Sequence, residues 1–200
     1  MLESVRNLHL KLRPGREPRF LQIFQQGIYL RIKVEMPLAE VLEQAGFSGK
    51  YLEQKVQTVF LDGSAVDDLD RAIVKDGCAI GLSAAMPGLA GAILRKGSPI
   101  SGLRSKTAAA TGPGSSAGEI GTVRLKLFNR VAEEMGPELL HKGILLKISD
   151  FENFMAGRPG LLEEAVLEAE LDGAPISPAE LLGGEWIRSD YLVLRIRYSI

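Results

Sequence analysis

The chain has 200 residues, of which 46% are hydrophobic and 24% are charged, and its formal net charge is −1. This composition is typical of a globular protein with one large domain or two small ones. Because nucleic-acid affinity depends on neutralised phosphates, the balanced charge predicts no nucleic-acid partner and leaves only a local basic patch open. The one cysteine, Cys78, excludes an internal disulfide framework and favours a reducing, cytoplasmic location.

The sequence predicts neither a signal peptide nor a membrane span. Residues 1–6 carry Glu3 and Arg6 and no apolar run. The longest uncharged run, 77–94, reaches only the short end of the length that a spanning helix needs. It is also interrupted by Pro87 and by several glycines, so a membrane partner is not expected.

Two strands, a helix and two further strands are predicted for the first half of the chain. The strands follow from alternating apolar residues, and the helix follows from apolar residues at helical spacing. Pro37 begins that helix and Gly46 ends it. In chain order these elements cover residues 8–12, 27–34, 38–45, 56–60 and 79–82.

A change of composition separates the two halves. Residues 98–120 are rich in glycine, alanine and serine, most clearly from Lys106 to Gly118. Such a segment buries too little apolar surface to offset the entropy of ordering it, so it is predicted to be a linker. The predicted domains are therefore 1–97 and 121–200.

The elements of the first half recur in the second half in the same order. The matches begin at Val123 for Leu8, at Gly143 for Gly27 and at Asp172 for Asp62, which are offsets of 115, 116 and 110 residues. A helix within 161–169 and a closing strand at 191–198 complete the pattern. Constant order at a nearly constant offset predicts a tandem duplication. The alternative, two unrelated α+β domains with similar strand patterns, stays open.

Both Asp-Gly pairs, Asp62-Gly63 and Asp172-Gly173, follow a predicted strand. We interpret them as turns in which both residues take positive φ and the aspartate side chain caps the turn locally. Their repetition favours a structural role over a ligand site.

The predicted order of elements resembles the β-grasp, or ubiquitin-like, fold. The resemblance implies an α+β protein with two β-grasp halves, each a mixed sheet of four or more strands packed on one helix. The first half is most similar to the small sulfur-carrier proteins of molybdopterin and thiamine synthesis, through Leu61-Asp62-Gly63 and Asp76-Gly77-Cys78. The run from Val123 to Phe128 likewise resembles their opening strand.

The end of the chain departs from that family. Sulfur carriers act through a free C-terminal Gly-Gly, whereas this sequence ends in Arg197-Tyr198-Ser199-Ile200, and Gly183-Gly184 is internal. The resemblance therefore implies a fold and docking to a partner, and carrier chemistry is not expected.

No motif predicts a catalytic residue, a metal site or a cofactor. The stretch from Gly114 to Gly118 matches the nucleophile-elbow pattern but lacks the flanking strand and helix. His9 and His141 have no neighbouring ligands at metal spacing. The carboxylates near Asp62 lack the spacing of a calcium loop and are interpreted as a solvated acidic turn, although a hard-cation site was the alternative. Those carboxylates are Asp67, Asp68 and Asp70. Cys78 is interpreted as a small core residue.

The segment 84–106 has no counterpart in the second half. It joins an apolar stretch to a basic one, which often marks a partner surface, and its glycines allow close approach of another backbone. The residues predicted to bind a protein partner are Met86, Pro87, Gly88, Leu89, Gly91, Arg95, Lys96 and Arg104. The alternatives are an inter-domain brace and, less favoured, a membrane contact.

The sequence thus favours a non-enzymatic binding or assembly module that docks a protein partner through 84–106. A homo-oligomer is one form that this docking could take. The opposed hypothesis is an enzyme, or an enzyme subunit in sulfur or cofactor metabolism, with a site between the two halves.

Overall fold

The structure is a computed structural model that describes residues 5–86, 88–100, 119–183 and 189–198. It is α+β, as the sequence predicts. The strands are β1 Val5–Leu12, β2 Ile28–Lys33, β3 Met36–Pro37, β4 Thr58–Leu61, β5 Ser64–Val66, β6 Ile73–Val74, β7 Ala79–Ser83, β8 Ile120–Phe128, β9 Ile144–Lys147, β10 Val166–Leu171, β11 Ala174–Pro175 and β12 Tyr191–Tyr198. The helices are α1 Pro18–Leu21, α2 Ile23–Gln26, α3 Leu38–Gln44, α4 Gly49–Gln54, α5 Gly88–Leu94, α6 Asn129–Lys142, α7 Ile148–Ala156, α8 Leu161–Ala165 and α9 Pro178–Gly183.

The chain forms two compact units. The first unit combines Met1–Ile28 with Glu133–Ile200, and the second is Tyr29–Ala132. These units differ from the predicted domains 1–97 and 121–200. The first strand of the first half lies in the unit formed mainly by the second half, and the first strand of the second half lies in the unit formed mainly by the first half. Thus β1 pairs with β10 and β12, and β8 pairs with β7. Most of the predicted linker 98–120 lies outside the described residues.

The first unit contains a mixed sheet with the strand order β11-β10-β1-β12-β9. β1 runs parallel to β12 over its whole length and antiparallel to β10. β1 alternates as predicted, with Leu8, Leu10 and Leu12 fully buried on one face. Leu194 and Ile196 of β12 lie opposite Leu8 and Leu10 and continue the same buried layer.

The second unit contains a mixed sheet with the strand order β2-β8-β7-β4-β5. A parallel pair, β7 and β8, is flanked on the β7 side by antiparallel β4. The predicted helix is α3, whose buried residues include Val41 and Leu42 at the predicted spacing. The short strands β3 and β6 form a separate two-stranded sheet next to it.

Two long helices of the second half were not predicted. α6 contains Gly136 and Pro137, which lower helix propensity and obscured its pattern. α7 buries Phe151 and Phe154, and Phe154 lies 6.1 Å from the Phe20 ring between centroids. The helix predicted within 161–169 is limited to α8, because the chain becomes extended at Val166.

The two Asp-Gly turns have the predicted backbone. Asp62 and Gly63 have φ of 49° and 79°, and Asp172 and Gly173 have 51° and 83°. The prediction of a local side-chain cap was wrong, because each carboxylate reaches a neighbouring strand instead. The Ala79 backbone N–H donates to Asp62 Oδ1 at 2.8 Å, and the Asn7 N–H donates to Asp172 Oδ1 at 2.8 Å.

Candidate functional site

The predicted partner segment, 84–106, contains the short helix α5 of the second unit. Leu89 on this helix is 70% exposed, more than any other large apolar side chain in the described part of the chain. Gly88 is exposed with φ of 72°, and Met86 is half-buried. Pro87 and Arg104 were also predicted to bind a partner and lie outside the described residues. The apolar part of the predicted surface therefore centres on Leu89.

The chain after α5 is fastened to its own unit. The Lys96 backbone N–H donates to the Gln57 carbonyl at 2.8 Å, and its Nζ donates to the Leu52 carbonyl at 2.7 Å. The Gly97 N–H donates to Asp67 Oδ1 at 2.9 Å. These bonds fix the backbone just after α5 and so anchor the C-terminal end of the helix before any partner arrives.

Lys96 is occupied by this anchoring. Partial burial lowers the pKa of its ammonium group, and the charge of Glu53 opposes that effect. A partly desolvated ammonium group that already donates to a carbonyl has less capacity for an external ligand. The structure thus gives Lys96 a structural contact within the predicted surface.

The remaining predicted residues of the segment are either buried in the unit or exposed to solvent. Gly91 is buried, and a Cβ added there would overlap the Met86 carbonyl group, so its role is close backbone packing. Arg95 is exposed. Of the predicted set, the described residues that face solvent are Gly88, Leu89 and Arg95.

The histidines lie apart from one another. His9 is on β1 and its Nε2 lies 3.4 Å from Arg195 Nη1, while His141 is exposed near the end of α6. Within the described ranges, no group of three or more His, Cys, Asp or Glu residues has the arrangement of a metal site.

Cys78 is a buried thiol with two protein contacts. Burial raises its pKa to about 11, assisted by the nearby carboxylate of Asp62. Its Sγ lies 3.1 Å from Asp62 Oδ2 and accepts from the Lys75 N–H at 3.3 Å. A protonated, buried thiol is a poor nucleophile, which agrees with the core role predicted for it.

The acidic turn is held by its own hydrogen bonds. Asp68 Oδ1 accepts from the N–H groups of Asp70 and Arg71, both at 3.1 Å. Asp67 accepts from Gly97, as described above. These carboxylates therefore shape the loop and anchor the segment after α5.

A cavity of about 360 Å³ lies in the first unit, where β9 passes into α7 and β12 begins. Its wall includes Lys147, Glu152 and Asp190, so it carries charges of both signs. Its described lining contains neither His nor Cys. The Ile148 N–H donates to the Asp190 carbonyl at 3.0 Å and ties the two sides together. The space suits a small molecule, and its wall also carries the hydroxyl groups of Ser149, Ser189 and Tyr191.

Comparisons with protein-family models, with curated proteins and with solved structures give no match for the chain. Over the part of the chain that the structure describes, no helix combines the length and apolar character needed to cross a bilayer.

The fold presents a second surface, on the sheet of the second unit, that the sequence analysis did not single out. Arg31 and Lys33 on β2 and Arg124 and Lys126 on β8 alternate with apolar residues along neighbouring strands. The signal was present in the sequence as basic residues at every second position, without any intervening carboxylate. The two pairs of basic residues lie far apart in the sequence, and only the pairing of β2 with β8 brings them together.

Proposed function

We propose that the protein is a non-enzymatic binding module that docks a protein partner through the surface of α5. The observation that carries this proposal is the 70% exposure of Leu89 on a helix whose following chain is fixed by hydrogen bonds. Burying an exposed leucine in a partner contributes about 1.5 to 3 kcal/mol. Arg95 adds a charge at the border of this apolar contact.

The fixed backbone supports docking over a role as a flexible tether. A surface that is already ordered loses less conformational entropy on binding. The hydrogen bonds of Lys96 and Gly97 run to Leu52, Gln57 and Asp67, all within the same unit. The segment therefore has a rigid base, and Leu89 projects from it.

We also propose that the two units derive from the β-grasp fold. Support comes from the mixed sheets, each with a parallel central pair beside antiparallel strands. The proposal must accommodate two departures: several helices accompany each sheet, and the opening strands are exchanged between the halves. In this proposal the chain arose by tandem duplication of an ancestor similar to the sulfur carriers. The protein is proposed to act in the reducing environment of the cytoplasm.

The docking proposal is tested by affinity capture with the full chain and the Leu89→Asp variant. A charged side chain in the apolar contact should reduce recovery of a stoichiometric partner at least about tenfold. Leu182→Asp is the matched control, since Leu182 is 52% exposed on a different helix, α9. Loss with Leu89→Asp and retention with Leu182→Asp supports the proposal.

Equal recovery with both variants would show that α5 is not the docking surface. Native mass spectrometry of the purified chain tests the opposed hypothesis, that the protein is an enzyme. A small molecule retained at a fixed ratio, without any protein partner, favours the enzyme hypothesis instead.

A further inference from the structure

The sheet of the second unit has one cationic face. Its five strands carry four basic residues, Arg31, Lys33, Arg124 and Lys126, and no carboxylate. Arg31 and Lys33 are exposed and Lys126 is half-exposed. Among the described residues, none of these three forms an ion pair. The net charge of −1 therefore conceals a local excess of positive charge.

Strand register places aromatic rings on the same face. Phe60 lies opposite Gly81, and Gly81 lies opposite Lys126, so the side chains of this row share a face. A Cβ added at Gly81 would lie 3.5 Å from both the Phe60 and the Phe128 side chains. The two partly exposed rings therefore meet over the glycine, where no side chain separates them.

A third ring lies beside the basic residues. The Arg124 guanidinium lies 5.6 Å from the centroid of the Tyr29 ring, which places Tyr29 on this face. Because side chains alternate along a strand, Arg31 and Lys33 project to the same side as Tyr29. The opposite face of β8 is fully buried through Val123, Leu125 and Leu127.

We propose that this face, defined by Tyr29, Arg31, Lys33, Phe60, Arg124, Lys126 and Phe128, binds single-stranded nucleic acid. Lysine and arginine neutralise phosphates, and partly exposed rings between them provide stacking surfaces for unpaired bases. Cations alone would suit any polyanion, and rings alone would suit an apolar peptide. Their interleaving on one face of the sheet matches the alternation of phosphate and base in a single strand.

The sheet of the first unit shows the contrasting case. There Lys11 Nζ is paired with Glu168 Oε1 at 2.6 Å, and Glu170 lies opposite His9. Carboxylates within the sheet thus offset its basic residues. In the second unit the carboxylates next to the sheet include Asp62 directly after β4, Glu119 directly before β8, and Asp76, whose Oδ1 accepts from the Thr122 N–H of β8 at 2.7 Å. Asp76 and Glu119 border the end of the face that holds Lys33, and Lys126 lies farther along β8.

The test titrates the full chain against fluorescein-labelled oligothymidylate and oligouridylate of about 12 nucleotides, with anisotropy as the readout. Three phosphate contacts, from Arg31, Lys33 and Lys126, predict about 20-fold weaker binding when salt rises from about 50 to 200 mM. Arg31→Glu with Lys126→Glu should weaken binding at least about tenfold. Arg71→Glu is the control for charge, since Arg71 is 90% exposed in a loop of the same unit, and it should change affinity less than about twofold.

Stacking is tested separately with Phe60→Leu and Phe128→Leu. Loss of a stacked base should weaken oligonucleotide binding at least about fivefold and leave heparin binding unchanged. If heparin binds as well as the oligonucleotides and the phenylalanine variants have no effect, the proposal is overturned in favour of a nonspecific polyanion surface. Preferential binding of polyglutamate would overturn it in favour of an acidic protein segment. The proposal would also be overturned if the folded full chain did not bind the oligonucleotides at about 50 mM salt.

Discussion

Asp62 and Asp172 occupy equivalent places in the two units. Each takes positive φ at the end of its strand, and each extends the pairing of that strand by one step through its carboxylate. Each aspartate also donates its own backbone N–H to the same partner residue. The Asp62 N–H donates to the Ala79 carbonyl and the Asp172 N–H donates to the Asn7 carbonyl, both at 2.8 Å. The repeated aspartate therefore joins adjacent strands in addition to forming a turn.

Replacing Asp62 with alanine should destabilise the protein by about 2 to 4 kcal/mol. The substitution leaves the Ala79 N–H without its acceptor. It also places alanine in the left-handed region, at φ of 49°, where alanine has no polar side chain to form a compensating hydrogen bond. Asp62→Asn retains an acceptor oxygen and tolerates the left-handed region, so its cost should stay below about 1 kcal/mol. Urea unfolding monitored by circular dichroism compares the two. Equal midpoints would show that the carboxylate contact does not stabilise the fold.

Helical glycines show how packing at the element scale overrides propensity. Gly136 in α6 is buried, and a Cβ there would lie 2.7 Å from Leu21 Cδ2 and 2.9 Å from Phe24 Cε2. The first of these is a mobile side-chain end, but the second belongs to a fully buried ring. The glycine thus allows α6 to approach α2 closely within the first unit.

Gly136→Ala should therefore destabilise the protein by about 1 to 3 kcal/mol, although alanine is the better helix former. Gly157→Ala is the matched control, because Gly157 has a helical φ of −75° and its Cβ would meet only ordinary contacts at 3.7 Å or more. That control should leave stability unchanged or raise it by up to about 1 kcal/mol. Differential scanning calorimetry gives both shifts. A stabilising Gly136→Ala would contradict the close packing.

At the scale of the whole molecule, local pattern predicted most elements and failed to predict which strands pair. Alternation identified β1 and β12, and the Asp-Gly pairs identified both turns, because these features are encoded within a few residues. Partner choice is not local. Leu8, Leu10 and Leu12 present an apolar face that suits the strands of either half, so the sequence pattern does not distinguish the two pairings. The basic face of the second unit depends on that pairing, since β8 brings two of its four cations from the other half.

Because the first strand of each half pairs with strands of the other half, a core substitution in that strand should speed hydrogen exchange first in the strands with which it pairs. Leu10 is fully buried and lies opposite Ala169 on β10 and Ile196 on β12. Leu10→Ala should cost about 2 to 5 kcal/mol and speed amide hydrogen exchange in β10 and β12 before it affects β4 and β7. This order follows because β1 forms its hydrogen bonds with second-half strands.

Leu125→Ala on β8 is the reciprocal variant, since Leu125 is fully buried opposite Ile80. It should speed exchange first in β7 and β4 and leave β10 protected. Hydrogen exchange measured by mass spectrometry resolves these peptides in one experiment. If Leu10→Ala instead exposed β4 and β7 first, β1 would belong with the strands of its own half, and the chain would form two sequential domains.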